Sequence, residues 1–332
     1  MKPDYRNALV LSFEGGVCGS SPAKDIRFIN AVVLPGLPPS WRDVLTCEQQ
    51  NRSTFLDLQK AGYQLVAPGE ITEAASTAVF VPGRSRRWNE YKLAMAWNVL
   101  PNGGRMVFAG DKNNGAGAIR KWFGEHAPIA DSFSKHHAFI FWADKTDDTE
   151  LPVVAIEKSV GSYVFSDGMF SSAGPDKGSI LLAQHFGDHI KGKVSDMGAG
   201  WGYLSAELLK RSGTVTKLDL FEADHVALEA ARVNLSGHKA TTTFNWIDVT
   251  AEFEKRPYDW VIMNPPFHSG RSAEPDLGKR FVEVAASTLP SGGKLLMVAN
   301  QNLPYEKTLE RQFRTFEKLE ERGGFKVIRA VK

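Results

Sequence analysis

The stretch "KVSDMGAGWGYLS", residues 193–205, joins an apolar segment to a helical one through a turn that contains Gly198, Gly200 and Gly202. Glycine lets the backbone turn tightly and approach a ligand closely, and the start of a helix behind such a turn offers free N–H groups. Asp196 stands just before the glycines. A carboxylate at this place would repel a pyrophosphate but could pair with an ammonium or sulfonium group. The stretch therefore predicts a strand, a turn and a helix that together bind a cationic small molecule.

Strands and helices alternate downstream of this turn, each recognised from its hydrophobic spacing. We predict helices at Tyr203–Lys210, Asp224–Leu235 and Phe281–Leu289, and strands at Thr214–Phe221, Thr242–Ile247, Trp260–Met263, Lys294–Ala299 and Lys326–Val331. This alternation favours an α/β fold, in which a mostly parallel sheet carries helices on both faces.

A repeat extends the same architecture to the first half of the chain. Residues 99–113, "VLPNGGRMVFAGDKN", and residues 288–302, "TLPSGGKLLMVANQN", share a helix end, a Leu-Pro-x-Gly-Gly turn, a basic residue, an apolar strand and a polar loop. Upstream of each copy lies an apolar strand that ends in proline, within residues 78–93 and 260–276. We interpret these as two copies of one α/β unit. The alternative is that Leu-Pro-x-Gly-Gly is only a common helix-to-strand turn.

The length of 332 residues agrees with two domains of ordinary size. The polar stretch "WADKTDDTELP", residues 142–152, ends in proline and suits a linker. We therefore place a first domain at 1–150 and a second at 151–332.

Composition limits the classes of partner that the chain can bind. The net charge is +2, so any binding of nucleic acid must come from local basic patches. The cysteines are Cys18 and Cys47, which form no CxxC pair, so we predict no metal site and a reducing compartment. No apolar run approaches the 18 residues of a membrane span, and we expect a cytoplasmic monomer without a membrane partner.

Acidic residues follow two further strands. Glu222 ends the second strand, where an acid accepts hydrogen bonds from ribose hydroxyls. It could instead cap the next helix. Asp219, in the middle of the strand, is the competing candidate for the ribose contact. Asp248 follows the third strand and could accept from an adenine amino group, although helix capping explains it almost equally well.

The fourth strand, Trp260–Met263, runs into Asn264-Pro265-Pro266-Phe267. Proline has no N–H, so two prolines in a row continue neither a strand ladder nor a helix. The chain must turn outward here. We expect the Asn264 side chain and the neighbouring carbonyls to face a cleft.

The order of these features resembles the class I S-adenosylmethionine-dependent methyltransferases, and Asn-Pro-Pro-Phe resembles those that methylate amino groups. Residues 164–186, "VFSDGMFSSAGPDKGSILLAQHF", resemble the segment that leads into the cofactor domain of bacterial ribosomal RNA guanine-N2 methyltransferases. We call residues 164–186 the leading segment. The resemblance implies two tandem Rossmann-like methyltransferase domains, of which the first is degenerate and binds no cofactor. It implies S-adenosyl-L-methionine as cofactor, bound by Asp196, Gly198, Gly200, Gly202, Glu222, Asp248 and Asn264.

The same resemblance implies how catalysis works. The Asn264 side-chain oxygen and the Pro265 carbonyl would accept the two hydrogens of a guanine amino group, and Phe267 would stack on the base. The leading segment would cover the cofactor and seat the target, with Phe165 and Ser179 as contacts. Ser179 could instead be the N-cap of the helix that follows it. The roles of Trp201 and His268 stay open.

Ribosomal RNA or a ribosomal subunit is the implied partner. The basic loop "GRSRRW", residues 83–88, stands in the first copy where the second has its Asn-Pro-Pro-Phe loop. Basic and aromatic side chains at loop tips suit phosphate contact and base stacking, although ordinary solvated charge is the common alternative. The arginines that we expect to contact RNA are Arg84, Arg86, Arg87 and Arg271.

Two other functions compete with this one. The first is methylation of a protein glutamine or of a nucleic-acid adenine by the same loop. Glutamine enzymes usually have tyrosine after the two prolines and a helical leading domain, so Phe267 and the α/β first half disfavour them. The second is an RNA-binding assembly protein without catalysis, which intact Asp196, Glu222 and Asn264 disfavour.

Overall fold

The computed structural model describes residues 4–22, 26–68, 75–146, 149–238, 241–266, 268–269, 272–273 and 275–332. The chain divides into two compact units, Met1–Glu157 and Lys158–Lys332. The division falls after residue 157, within a few residues of the boundary that we placed at 150.

The first unit alternates helices and strands from its start. Its helices are α1 (Tyr5–Glu14), α2 (Pro39–Arg42), α3 (Arg52–Lys60), α4 (Arg86–Asn98) and α5 (Ala116–Gly124), with a 3₁₀ turn at Lys112–Asn114. Its strands are β1 (Ile26–Ile29), β2 (Leu45–Glu48), β3 (Gln64–Val66), β4 (Thr77–Phe80), β5 (Arg105–Asp111), β6 (Asp131–Lys135) and β7 (Ala138–Asp144).

The second unit begins with a hairpin and then repeats this alternation. Its helices are α6 (Lys177–Ala183), α7 (Tyr203–Arg211), α8 (His225–Asn234), α9 (Val249–Glu252), α10 (Pro275–Thr288) and α11 (Glu306–Gln312). The hairpin is β8 (Glu157–Val160) with β9 (Tyr163–Ser166), and β14 (His268–Ser269) pairs with β15 (Ser272–Ala273). The remaining strands are β10 (Gly192–Met197), β11 (Val215–Glu222), β12 (Thr241–Trp246), β13 (Trp260–Met263), β16 (Lys294–Asn300), β17 (Thr315–Arg322) and β18 (Phe325–Val331). Across the described ranges, no helix combines the length and the apolar character needed to cross a membrane.

The two large sheets have the same topology. Within the described residues each has seven strands, in the orders β3-β2-β1-β4-β5-β7-β6 and β12-β11-β10-β13-β16-β18-β17. The first five strands of each order pair in parallel and the last two pair antiparallel. The mostly parallel α/β fold and the internal repeat are therefore confirmed.

Side chains of the second sheet alternate between two apolar layers, because successive residues of a strand point to opposite faces. Val194 and Ile262 pack on one face with the buried sides of α7 and α8. Val261 and Leu295 pack on the other face with α10. Burial of each such side chain contributes about 1.5–3 kcal/mol. The sheet is thus held rigidly between helices, and its edge is a stable platform for a site.

The strand order places the loops of interest together. β10 pairs in parallel with β11 on one side and with β13 on the other, so Asp196 lies opposite both Leu220 and Ile262. The carboxyl ends of these three strands therefore meet at one edge, at the point where the strand order reverses. Ligands of open α/β sheets bind at this kind of crevice.

Candidate active site

Three glycines shape the loop after β10, and each has a positive φ: +76° at Gly198, +54° at Gly200 and +84° at Gly202. A Cβ on Gly202 would lie 2.9 Å from Ala231 Cβ, so this glycine lets α7 and α8 pack closely. A Cβ on Gly200 would meet nothing within 4 Å. The backbone beside Gly200 therefore borders open space, as a ligand cradle requires.

Asp196 lies beneath this loop and is fully buried. Its Oδ2 accepts a hydrogen bond from Ser205 Oγ at 2.7 Å, whereas no described residue donates to its Oδ1. Burial, with the negative charge of Glu222 in support and the Ser205 hydrogen bond in opposition, raises the pKa of Asp196 to about 7. A buried acceptor without a donor costs about 1–3 kcal/mol. The carboxyl is therefore suited to a ligand that brings a donor or a positive charge.

Glu222 ends β11 and borders the same loop. Its Oε2 accepts from the Gly200 N–H at 2.7 Å and its Oε1 from the Asp224 N–H at 2.8 Å. Burial, opposed by these hydrogen bonds, raises the pKa of Glu222. Each carboxylate oxygen can accept a second hydrogen bond. The geometry is compatible with the predicted ribose contact, which stays a prediction.

The structure gives Asp219 and Asp248 local partners. Asp219 is buried within the sheet and accepts from Thr243 Oγ1 at 2.6 Å and from Tyr258 Oη at 2.7 Å. It is therefore a structural residue, and Glu222 is the better candidate for the ligand contact. Asp248 is the N-cap of α9 and accepts from the Thr250 N–H at 2.8 Å and from its hydroxyl at 2.7 Å. Its capping role is observed, and its adenine contact stays a prediction.

Asn264 follows β13 directly and is half-buried. Its Nδ2 donates to Asp176 Oδ2 at 3.0 Å and to Ser179 Oγ at 2.9 Å. No described residue donates to Asn264 Oδ1 or to the carbonyl of Pro265. Two acceptors that receive no hydrogen bond from a described residue thus lie on adjacent residues of one loop.

The Asn264 loop lies against the glycine loop. An ideal Cβ on Gly198 would lie 3.8 Å from Pro266 Cδ and 4.0 Å from the Asn264 main-chain oxygen. The Asn264 loop and the glycine loop are therefore direct neighbours at this edge of the sheet. Phe267 and Arg271, which we predicted to stack on the base and to contact RNA, lie outside the described residues.

Comparison with known proteins identifies the family of the chain. The model of the family "Methyltransferase small domain" matches residues 162–329. Ribosomal RNA small subunit methyltransferase C of Citrobacter koseri is 31% identical over 280 residues, which cover 82% of this chain and 80% of that protein. The chain belongs to the ribosomal RNA small subunit methyltransferase C family. The family member of Escherichia coli K12 is 29% identical over 278 residues, with the same coverage of both chains.

A solved structure matches almost the whole chain. It is the Thermus thermophilus (T. thermophilus) 16S rRNA N2 G1207 methyltransferase, RsmC, in complex with AdoMet and guanosine. The TM-score is 0.82 and the sequence identity 25%, and the match covers 99% of this chain and 92% of that one. The predicted tandem Rossmann-like architecture of the family is therefore confirmed.

The structure settles the place of Trp201, which the sequence left open. Trp201 is 3% exposed, and its ring stacks on that of Phe165 with centroids 5.3 Å apart. Asn234 Nδ2 donates to the Trp201 carbonyl at 2.8 Å and ties the glycine loop to α8. Phe165 is 1% exposed, so the prediction that it contacts RNA is wrong: its ring supports Trp201 from within the core.

Ser179 also differs from the sequence-based alternatives. The N-cap of α6 is Asp176, whose Oδ2 accepts from the Ser179 N–H at 3.0 Å. Ser179 is therefore the third residue of the helix and not its cap. Its hydroxyl lies buried against Asn264, which places Ser179 behind the Asn264 loop.

The corresponding edge of the first unit is closed by side-chain amides. Gln49 follows β2, and its Oε1 accepts from the Asn51 N–H at 2.8 Å. Glu222 of the second unit accepts from the Asp224 N–H in the same way. Its Nε2 donates to the Ala31 carbonyl at 2.8 Å and to Asn30 Oδ1 at 3.3 Å. Asn30 Nδ2 donates at 2.8 Å to the carbonyl of Val81, which is the counterpart of Asn264. These bonds cross-link the strand ends where the second unit has its crevice.

The three arginines of the first unit's basic loop are all exposed. Arg86 pairs with Glu90 at 2.6 Å, and Arg87 donates to the carbonyl of Ala155 at 2.7 Å. Arg84 lies between Gly83 and Ser85 at the tip of the loop. All three side chains are thus accessible to a phosphate backbone, and their contact with RNA stays a prediction.

Proposed function

We propose that the protein transfers a methyl group from S-adenosylmethionine to the exocyclic N2 amino group of a guanosine in small-subunit ribosomal RNA, in the cytoplasm. The observation that carries the proposal is a pair of acceptors beside the glycine loop, Asn264 Oδ1 and the Pro265 carbonyl, to which no described residue donates. Family membership and the similarity to RsmC with AdoMet and guanosine support it.

The residues of the second unit fit the cofactor. S-adenosylmethionine supplies the methyl group as an electrophilic carbon on a sulfonium sulfur. Asp196 has an acceptor without a donor, the backbone at Gly200 borders open space, and Glu222 is held in place with acceptor capacity to spare. The residues that would hold the cofactor are Asp196, Gly198, Gly200, Gly202, Glu222, Asp248 and Asn264.

Asn264 and Pro265 make the amino group reactive through hydrogen bonding. The lone pair of a guanine amino nitrogen is delocalised into the ring, so this nitrogen is a poor nucleophile. Acceptance of both its hydrogens, by Asn264 Oδ1 and the Pro265 carbonyl, turns the lone pair out of the ring plane and directs it at the methyl carbon. The proline pair keeps this carbonyl rigid and supplies no N–H of its own, so the acceptors are in place before the reaction.

No strong base is required in this mechanism. The nitrogen becomes acidic only after it has gained the methyl group, and it then loses a proton to solvent. The side chains of this site therefore work by positioning and by hydrogen-bond acceptance. Phe267 belongs to the proposal as the ring that stacks on the target base.

We assign RNA binding without catalysis to the first unit. Its strand ends are cross-linked through Gln49 and Asn30, and among the described residues no free carboxylate lies at the place that corresponds to the cofactor crevice. Arg84, Arg86 and Arg87 are exposed on its basic loop. Phosphate contacts of this kind position an RNA without reading its sequence.

The experiment that tests the proposal is a comparison of ribosomal RNA nucleosides from a deletion strain and from its parent by mass spectrometry. The proposal predicts that one N2-methylguanosine of the small subunit disappears and that the wild-type gene restores it. Loss of a methylated adenosine instead, or of methylation on a protein glutamine, would favour a different substrate. An unchanged set of modifications would overturn the proposal.

A further inference from the structure

The amide of Asn264 is held by a helix whose N-cap lies 88 residues earlier in the chain. Asp176, the N-cap of α6, accepts from the Ser179 N–H and from Asn264 Nδ2 with the same oxygen, Oδ2, at 3.0 Å in each case. Ser179 Oγ is the second acceptor of Asn264 Nδ2, at 2.9 Å. The leading segment and the catalytic loop are thereby joined at the group that contacts the substrate.

The chemistry of these partners decides which way the amide faces. A carboxamide has an NH₂ end that only donates and an oxygen end that only accepts. A serine hydroxyl can do either, so Ser179 can form a hydrogen bond with the amide in both orientations. An ionised carboxylate can only accept, and an amide oxygen placed 3.0 Å from it would be repelled. Asp176 therefore selects the orientation in which Asn264 Oδ1 points away from α6.

This orientation is the one that the reaction needs. The target amino group brings two N–H donors, so the group that meets it has to be an acceptor. A reversed amide would present NH₂ to NH₂ and lose the hydrogen bond. We propose that Asp176 is a positioning residue, which holds the Asn264 amide with its oxygen toward the amino group of the substrate. The inference rests on the proposed function and adds a residue to it.

Asp176 is itself firmly placed. A Cβ on Gly178 would lie 2.8 Å from Phe325 Cδ1 and 3.0 Å from Asp176 Oδ2, so the first turn of α6 packs closely against β18. The capping bond to the Ser179 N–H fixes the carboxylate from the other side. A hydrogen bond to an ionised acceptor is about twice as strong as one between neutral groups. The contact is therefore rigid enough to choose one rotamer of Asn264.

The test separates this role from helix capping. Asp176→Ser keeps a good N-cap residue, but its short side chain does not reach Asn264. We expect kcat for methyl transfer to ribosomal RNA to fall at least about tenfold, because a reactive group loses its alignment. The Kd for S-adenosylmethionine and the Tm should stay close to the wild-type values. Asp176→Asn keeps an acceptor but also offers a competing NH₂, so its kcat should lie between those of the wild type and of Asp176→Ser.

A matched control is Asp4→Ser, which replaces another N-cap aspartate, that of α1 in the first unit. Its kcat should equal the wild-type value. A drop in kcat in this variant similar to that of Asp176→Ser would mean that loss of an N-cap carboxylate has a general effect on the fold, and the inference would be wrong.

A double-mutant cycle gives the decisive readout. Once Asn264→Ala has removed the amide, Asp176 has nothing to orient. Addition of Asp176→Ser to Asn264→Ala should then lower kcat by less than about twofold, although it lowers the wild-type kcat about tenfold. Additive losses, or a normal kcat in Asp176→Ser, would overturn the inference while the proposed function stands. Wild-type protein that methylates no ribosomal guanosine would overturn both.

Discussion

Replacement of Asn264 by alanine should separate catalysis from cofactor binding. The substitution removes Oδ1, one of the two acceptors that we propose to meet the substrate, and leaves the Pro265 carbonyl in place. Loss of one preorganised hydrogen bond to a transition state costs about 2.7–4 kcal/mol, or about 10²–10³-fold in kcat. We therefore expect a variant that still binds S-adenosylmethionine but transfers its methyl group at least about 100-fold more slowly.

The cost to folding should be much smaller. The substitution also removes the two hydrogen bonds that Nδ2 donates, but Asp176 Oδ2 keeps its bond from the Ser179 N–H. The buried Ser179 hydroxyl loses one neutral hydrogen bond, so the free energy of unfolding should fall by about 1 kcal/mol. Single-turnover transfer of a labelled methyl group gives the rate, calorimetry gives the Kd, and thermal unfolding gives the stability.

Asn264→Asp is the informative companion variant. It keeps an acceptor toward the substrate but places a second carboxylate about 3.0 Å from Asp176, where the structure has an amide. Like charges at this distance repel, so one of the two groups should take up a proton and its pKa should rise. A normal rate in Asn264→Ala, or a parallel loss of cofactor affinity in that variant, would refute the role that we assign to Asn264.

Three further predictions concern the cofactor site and the corresponding place in the first unit. The pKa of Asp196 is raised to about 7, and only its ionised form pairs with a cation, so affinity for S-adenosylmethionine should fall as the pH drops below about 7. In Asp196→Asn the affinity should no longer depend on pH in this range. Calorimetry between pH 5.5 and pH 8 measures both. In thermal unfolding, Gly202→Ala should be destabilised by more than about 1 kcal/mol, because its Cβ meets Ala231 at 2.9 Å. Gly200→Ala also has a positive φ but no contact within 4 Å, so it should be destabilised less and should weaken cofactor binding; equal losses of stability in the two variants would contradict this contrast. Since Gln49 and Asn30 close the first unit, titration should give one cofactor per chain, and Gln49→Glu should not add a second.

Most of the second unit was predictable because its pattern is local. The strand Trp260–Met263 is observed with the bounds that the sequence predicts, since four apolar residues lie between Asp259 and the Asn-Pro-Pro turn. The loops at Gly198 and Asn264 could be assigned to one site because parallel strands bring their carboxyl ends to one edge.

Contacts between distant segments were not predictable in the same way. Nothing local in the sequence indicates that Asp176 meets Asn264, because the contact depends on how α6 packs on the sheet. The cap itself had a local signal: Asp176 precedes Ser179 by three residues, and aspartate is as good an N-cap residue as serine. Phe165 was misassigned because an aromatic side chain in a leading segment suits both a base and a core, and only the observed burial decides between them.

The edge strand Thr315–Arg322 was also missed. It carries charges along most of its length and is largely exposed, so it lacks the apolar alternation by which strands are usually recognised. Exposed edge strands often carry charges, which discourage pairing with other chains. Its assignment needs the neighbouring strand β18, with which it pairs antiparallel.

The most direct test of the central claim is a crystal structure of the protein with S-adenosylhomocysteine and guanosine. We predict that the guanine amino nitrogen lies within about 3.2 Å of both Asn264 Oδ1 and the Pro265 carbonyl, with the sulfur of the cofactor product on the side of Gly198 and Asp196. A cofactor product bound in the first unit, or a guanine whose amino group faces away from Asn264, would contradict the account.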